Sequence, residues 1–377
     1  MILIKDENSV RQPLKAVFPG KYIQGKKALN ELKYLTESFG NRGLLLASPS
    51  VITHVLPKYQ FENGWDWIHL DTFQGECCRE ELERLSAKVH HDKTDVIVGM
   101  GGGKVIDTAK IVADSTGIPV IIVPTIASSD APCSGCGVIY SGDGIFEGVY
   151  YLKMNPQAVL VDESVIAQAP TRFLVSGMGD ALATWFEARS CKRSGSANEC
   201  GGYATHTAMA IAHVCYKTLL KYGIQAKNDC DLFVTSEALS AVIEANILMS
   251  GLGFESCGLA SAHSIHNGLT VLEETHTFYH GEKVAFGVLA GLHLTGAPVS
   301  EKEKVYGFCE AVGLPTTFDD INLAGISRER LMEAAVKTCH PNEAVHHEVK
   351  SVDPEKILIA MKAADAYGRK RKATGNN

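Results

Sequence analysis

Short apolar runs alternate with amphipathic ones through the first half of the chain. GLLLAS (43–48), WIHLDTF (67–73), DVIVGM (95–100), PVIIVP (119–124) and AVLVD (158–162) are rich in Val, Ile or Leu. Each is bounded by turn residues or charge, the pattern of a strand. Between them, ALNELKYL (28–35) and CREELERLSAKVHH (78–91) carry helical spacing. Continuous apolar strands separated by helices predict a mostly parallel sheet covered on both faces. The stretch VIYSGDGIFEGVYYLK (138–153) differs, because two aromatic-containing runs flank Ser-Gly-Asp-Gly. It predicts a β-hairpin. From Pro170 onward no strand pattern recurs, and Ala-rich amphipathic stretches such as DALATWFEARSC predict helices separated by Gly and Pro. The pattern therefore predicts an α/β domain over residues 1–168 and an all-α domain over 169–377, with the change inside 163–175.

Composition narrows the function. The chain has 377 residues, 45% of them hydrophobic and 21% charged, which suffices for sizeable cores. The net charge is -7, and no basic run precedes RKRK at 369–372. Nucleic acid is therefore not the expected partner, and the basic tail reads as a solvated terminus. No export-signal pattern and no run approaching the roughly 20 apolar residues of a membrane span is expected. The eleven cysteines then read as reduced thiols of a cytoplasmic protein. Cys133 and Cys136 form a lone C-x-x-C, for which burial or pocket lining is favoured over redox chemistry.

The candidate chemistry lies in two places. GMGGGK (99–104) joins a predicted strand to a predicted helix. Glycines let backbone approach a diphosphate, and a helix N-terminus supplies free N–H groups. The sequence is neither the dinucleotide fingerprint, where glycine would replace Lys104, nor a P-loop, where Ser or Thr would replace Val105. A tight turn without ligand remains the alternative. The next strand ends in PTIASSDAP, where Thr125 and Ser128 can donate from the sheet edge. Asp130 is either a ligand contact or an Asx-turn or helix cap. Further on, Asp180 follows Gly-Met-Gly, His263 lies in SAHSIHNG and His280 in YHGEKVAFG. One carboxylate and two imidazoles would leave coordination positions open, as in a catalytic divalent-metal site.

Long blocks in order carry a family resemblance: PGKYIQG (19–25), GGGKVIDTAK (101–110), PTIASSDAPCS (124–134), GMGDALATWFEAR (177–189), GFESCGLASAHSIHNGLT (253–270) and YHGEKVAFG (279–287). Over nearly its whole length the chain resembles the glycerol-oxidising branch of the iron-containing, group III alcohol dehydrogenases. The resemblance implies a dinucleotide-binding domain, a helical domain and an active site in the cleft between them. It implies Asp180, His263 and His280 as metal ligands, with zinc expected and Fe2+ or another divalent ion open. Asp130 would contact substrate hydroxyls and, with His263, form the catalytic set. Gly101, Gly102, Gly103, Lys104 and Asp107 match the pyrophosphate loop, and Thr125, Ser128, Ser134, Cys136 and Tyr140 match cofactor contacts. Thr184 stands where iron-type relatives carry histidine.

The implied reaction is reversible oxidation of glycerol, or a related vicinal diol, to dihydroxyacetone with NAD. A homo-oligomer, up to an octamer, is implied too. Ser48 stands where NAD users of the family commonly place an aspartate against the adenosine ribose. A serine does not repel a 2′-phosphate, so NADP stays open. His266, three residues after His263, reads either as a proton relay or as a packing residue, the latter favoured. Phe254 reads equally as a pocket wall or as a core aromatic. Two other functions compete: a dehydroquinate synthase-like lyase or cyclase, disfavoured because no Lys/Arg cluster flanks the metal motifs, and a nonenzymatic binding module, which would leave Asp130 without a role.

Overall fold

The computed structural model describes residues 13–61 and 64–375. Its strands in chain order are β1 (Tyr22–Gly25), β2 (Gly43–Ala47), β3 (His69–Thr72), β4 (Val96–Gly101), β5 (Val120–Pro124), β6 (Cys136–Tyr140), β7 (Phe146–Tyr151) and β8 (Ala158–Asp162). All but β6 and β7 form one parallel sheet in the order β1-β8-β5-β4-β2-β3. The antiparallel pair β6–β7 is the predicted hairpin, starting two residues earlier than its aromatic runs suggest.

Among the described residues the helices are α1 (Leu32–Glu37), α2 (Pro49–His54), α3 (Arg79–Asp92), α4 (Gly103–Thr116), α5 (Glu163–Ile166), α6 (Thr171–Ser194) and α7 (His206–Asp231). They continue with α8 (Glu237–Glu244), α9 (Ser250–Cys257), α10 (Ser261–Leu269), α11 (His280–Leu294), α12 (Val299–Val312), α13 (Arg328–Thr338) and α14 (Pro354–Gly375). No described strand follows β8, so the predicted switch from α/β to all-α holds in the order of elements.

The sheet is apolar on both faces because helices cover both. Along β2, Leu44 and Leu46 join one core while Leu45 and Ala47 join another. β5 divides the same way, with Val120 and Ile122 on one side and Ile121 and Val123 on the other. This is the period-2 alternation of a strand buried on both sides. The first core runs on into the helical half through Met178, Ala181 and Leu182 of α6. The second holds Leu29, Leu32 and Leu35 under the other face. Gly99 of β4 is where α4 lies closest, since a Cβ there would sit 2.4 Å from Ala109 Cβ.

The strand order fixes where a ligand can enter. The chain leaves β2 outward to β3, and β4 in the other direction to β5. A crevice therefore opens between the C-terminal ends of β2 and β4, the usual ligand position in open α/β sheets. Ser48 follows β2, Gly101 ends β4 with Gly102 and Gly103 directly after it, and Thr125 follows β5 along the same edge.

Three expectations need correction. β1 escaped notice because YIQG is short, has no apolar run and lies at the sheet edge. The RKRK segment is not a free tail but part of α14. Arg371 pairs with Glu303 and with Glu310 (2.8 Å), and Lys372 with Asp320 (2.5 Å). Finally, Glu237–Cys257 is long and apolar enough to cross a membrane by length and composition. It is one rod, α8 and α9 joined by the π-helical turn Ala245–Met249, and 67% of its apolar window is buried inside the fold.

Candidate active site

Three helices bring the metal-type residues together. Asp180 lies near the middle of α6 and is almost wholly buried, His263 is in the first turn of α10, and His280 opens α11. Glycines allow the approach. A Cβ on Gly281 would lie 1.8 Å from Ser176 O, and one on Gly179 would lie 2.3 Å from Gly281 O. The start of α11 thus packs backbone to backbone on α6, which sets His280 beside Asp180.

Both imidazoles aim the same nitrogen at one oxygen. His263 Nε2 is 3.2 Å and His280 Nε2 is 3.1 Å from Asp180 Oδ1. The ligand-type atoms of all three residues lie within 4.8 Å of one another. Ligands about 2.0–2.2 Å from a tetrahedral metal sit roughly 3.4 Å apart, so the spacing suits a shared cation. The outer partners agree. Glu187 Oε2 is 2.6 Å from His263 Nδ1, and Glu187 Oε1 accepts from the amides of Ala260 (2.9 Å) and His263 (3.0 Å). With Nδ1–H donated to Glu187, a neutral His263 turns its Nε2 lone pair toward Asp180, acceptor facing acceptor. A proton or a metal cation resolves that conflict, and a carboxylate behind a ligating histidine is the usual support of a metal site. His280 Nδ1 in turn meets His266 Nε2 at 3.1 Å, and His266 Nδ1 meets Asn267 Oδ1 at 3.0 Å.

The electrostatics follow from burial and these contacts. Burial pushes the Asp180 carboxyl upward, but His280 and His263 outweigh it and hold it well below the usual carboxylate range. Burial alone would depress His263; Glu187 and Asp180 raise it well above the ordinary imidazole value. His266 is depressed by burial, then by His280 and Lys283. His266 stands against the His280 ring through the 3.1 Å contact between Nε2 and Nδ1.

Asp130 stands at the junction of the two halves. Its amide donates to Asp180 Oδ2 at 3.2 Å, and its Oδ2 accepts from Ser250 Oγ at 2.8 Å. Ser250 Oγ also meets Thr184 Oγ1 at 2.8 Å. The side chain caps no helix, although Asp130 precedes the short 3-10 turn Ala131–Cys133. Oδ1 has no hydrogen-bond partner among the described residues. Burial, followed by the Asp180 charge, raises its carboxyl well above the usual range. Ser250 reaches it because the π turn Ala245–Met249 shifts the face of the rod at that point. Asn246 in that turn donates to Ala127 O (3.0 Å) and Leu174 O (3.1 Å), tying the loop after β5 to α6. Phe254 is buried one turn beyond Ser250 and belongs to none of the main apolar cores.

The cofactor-type residues divide. Gly102 caps α4 in extended conformation without a side-chain cap and Gly103 begins it, so the first amides of the helix have no partner within it. A Cβ on Gly103 would meet nothing within 4 Å. Lys104 is exposed, held by Glu76 and lying 5.4 Å from the Tyr140 ring centre. Ser48 N-caps α2 through Val51 N (3.4 Å), Thr125 N donates to Gly101 O (3.1 Å), and Ser128 O accepts from Ser176 (3.3 Å). Asp107 and Ser134 are different: the structure places them beneath the turn rather than on it. Both are buried, Asp107 Oδ2 accepts from Val138 N at 3.1 Å, and both face the ammonium of Lys110. Asp107 lies one turn inside α4, on the side that packs the hairpin. Cys136 is half-buried and its thiol is pushed up to about 11, mainly by burial. Cys133 is wholly buried, and both are free thiols.

Glu187, Ser250 and Asn246 were not singled out from sequence. Glu187 had a signal: it is seven residues after Asp180, two turns on the same face of an Ala-rich helix. Ser250 and Asn246 had none, because a π turn leaves no mark in the spacing.

Comparison with known proteins identifies the family. A family model described as iron-containing alcohol dehydrogenase matches residues 19–163. A glycerol dehydrogenase of Thermotoga maritima is 52% identical over 357 residues, 94% of this chain and 98% of that protein. A glycolaldehyde reductase of Halobacterium salinarum is 40% identical, covering 93% of this chain and 97% of that protein. The crystal structure of glycerol dehydrogenase from Schizosaccharomyces pombe superposes with a TM-score of 0.90 at 36% identity, covering 97% of this chain and 94% of that one. Identity of this order along nearly the whole of both chains makes this protein an oxidoreductase, and a member of the iron-containing alcohol dehydrogenases.

Proposed function

We propose that the chain oxidises glycerol reversibly to dihydroxyacetone with NAD, using a divalent metal held by Asp180, His263 and His280. Zinc is the metal proposed, since two imidazoles, a carboxylate and open positions suit it. The observation that carries the proposal is the aim of two Nε2 atoms at one buried carboxylate oxygen, with Glu187 fixing one ring from behind. Support for the substrate comes from relatives named glycerol dehydrogenase at 52% and 42% identity.

When bound, the metal supplies Lewis-acid chemistry to a substrate hydroxyl and NAD supplies the hydride acceptor. The protein's part is positioning. The amides around Gly102 and Gly103 and the positive end of α4 suit a diphosphate. Asp130 Oδ1 is left free to accept from a second hydroxyl, while Ser250 fixes Oδ2. A diol is then held at two points, which restricts its orientation toward the cofactor. His266 keeps the His280 ring in place.

Initial rates of NADH formation with glycerol, 1,2-propanediol and 1-propanol test the proposal, with dihydroxyacetone plus NADH for the reverse direction and glycolaldehyde plus NADH for the competing substrate. The expected order is glycerol and 1,2-propanediol well above the mono-alcohol. Equal rates for 1-propanol and 1,2-propanediol would remove the role of the second hydroxyl. Glycolaldehyde reduction without glycerol oxidation would replace the substrate.

A further inference from the structure

The loop that carries Asp130 is held from beneath by one buried cation. Lys110 lies about two turns into α4, and none of its surface is exposed. Its Nζ donates to Ala131 O (2.9 Å), Ser134 Oγ (3.2 Å), Ser134 O (3.3 Å) and Cys136 O. Asp107 Oδ1 lies 3.2 Å away as the counter-ion. An ammonium has three N–H bonds, so five surrounding oxygens must share them. Asp107 Oδ1 is the one left without a directed hydrogen bond.

A buried charge is costly unless it is fully compensated. Asp107 alone would neutralise this one. Three of the remaining acceptors are main-chain carbonyls of a single segment, 131–136, turned inward onto α4. The other side of the segment is tied to α9. Glu255 Oε1 accepts from Gly135 N (2.9 Å), and Asn155 Nδ2 bridges Cys133 O (3.0 Å) and Glu255 Oε2 (2.6 Å). Asp130 immediately precedes this segment, and α4 begins at the glycine turn.

We propose that Lys110 is a positioning residue. Through the carbonyls of Ala131, Ser134 and Cys136 it fixes the Asp130 carboxylate relative to the start of α4, so that substrate hydroxyl and dinucleotide are held in register. This rests on the proposed diol-oxidising site. The competing account is that Lys110 only neutralises Asp107.

The two accounts separate in a charge-neutral pair. Lys110→Met alone strands a buried carboxylate and can simply unfold the protein. Lys110→Met with Asp107→Asn removes both charges and keeps the amide contact to Val138. If Lys110 only neutralises, this double variant behaves as wild type. If it positions, the double variant keeps its melting temperature and its NADH affinity by fluorescence titration, yet kcat for 1,2-propanediol falls about 10- to 100-fold, the scale for a misplaced contact. Adding Asp130→Asn then costs much less than it does in wild type, because the carboxylate has already lost its register. Amide hydrogen exchange reads the clamp without turnover: residues 131–136 exchange faster in the double variant, while β4 and β5 do not change. Wild-type kcat, or unchanged exchange in 131–136, overturns the proposal. A wild-type protein that oxidises no diol would instead refute the functional reading, and the exchange result would still decide the clamp.

Discussion

At the turn after β4 the polypeptide offers backbone and space, whereas at the Asp180–His263–His280 cluster it offers side chains locked by other side chains. Gly102 and Gly103 contribute amides, and Gly103 has open space where a Cβ would stand. The charged and hydroxylated residues near the turn, Asp107 and Ser134, are withdrawn into the Lys110 clamp. In the cluster each side chain has a keeper: Glu187 for His263, His266 for His280 and the Asp130 amide for Asp180, while Ser250 holds the neighbouring Asp130 carboxylate. The turn should therefore respond to added bulk and the cluster to lost donors or charge. An anionic diphosphate is recognised by many weak amide dipoles, a cation by a few strong ligands whose orientation must be held.

The strongest break in this contrast is at a ligand. His263→Ala should lose most bound metal and, with it, several kcal/mol of Lewis-acid stabilisation, about a thousandfold or more in glycerol kcat/KM. NADH affinity should persist, since the turn is built separately. Elemental analysis beside a fluorescence titration checks both; a metal-free, fully active variant would dissolve the cluster's role.

One shell outward the effect should shrink. Glu187→Gln keeps the shape but removes the charge that holds His263 Nδ1–H. Metal affinity, measured by competition with a chelator, should fall about 10- to 100-fold. Unchanged affinity would make Glu187 a packing residue.

On the other side of the comparison, Gly103→Ala adds a methyl into open space, so the unliganded protein should melt as before. Against a bound diphosphate the same methyl overpacks, by about 1–3 kcal/mol, and NAD should bind roughly tenfold or more weakly. Gly101→Ala is no substitute, because its Cβ would already lie 2.9 Å from Val105 Cγ2. Equal NAD affinity in Gly103→Ala would leave the turn without a ligand.

The smallest change expected is at Ser48, half-exposed at the end of β2. Ser48→Asp introduces a carboxylate that repels a 2′-phosphate. The NAD-to-NADP ratio of kcat/KM should rise by about fivefold, roughly 1 kcal/mol, the low end for a screened charge contact. A ratio that stays put would mean Ser48 does not face the ribose.

Much of this organisation was legible because burial on both faces writes itself as apolar runs. β2, β4, β5 and β8 stand out for that reason, and β1 does not, because an edge strand needs no such run. The three metal-type residues were legible because glycines flank two of them, and Gly179 and Gly281 are where α6 meets α11. Direction was not legible. Asp107 and Ser134 sit in the right motifs, but no spacing states that they turn beneath the sheet edge to a lysine. Ser250 owes its reach to a π turn, which leaves no mark in the residue spacing. RKRK looked like a free end because its acidic partners, Glu303, Glu310 and Asp320, lie far away in the chain.

If the Asp180–His263–His280 cluster holds a cation, turnover depends on that cation. Zinc titration of chelator-stripped wild-type protein tests it most directly, following NADH formation from glycerol. The stripped protein should show no turnover, activity should rise with added zinc to a plateau at one equivalent per chain, and NADH binding should stay constant throughout. Full turnover in protein shown to be metal-free by elemental analysis would contradict it.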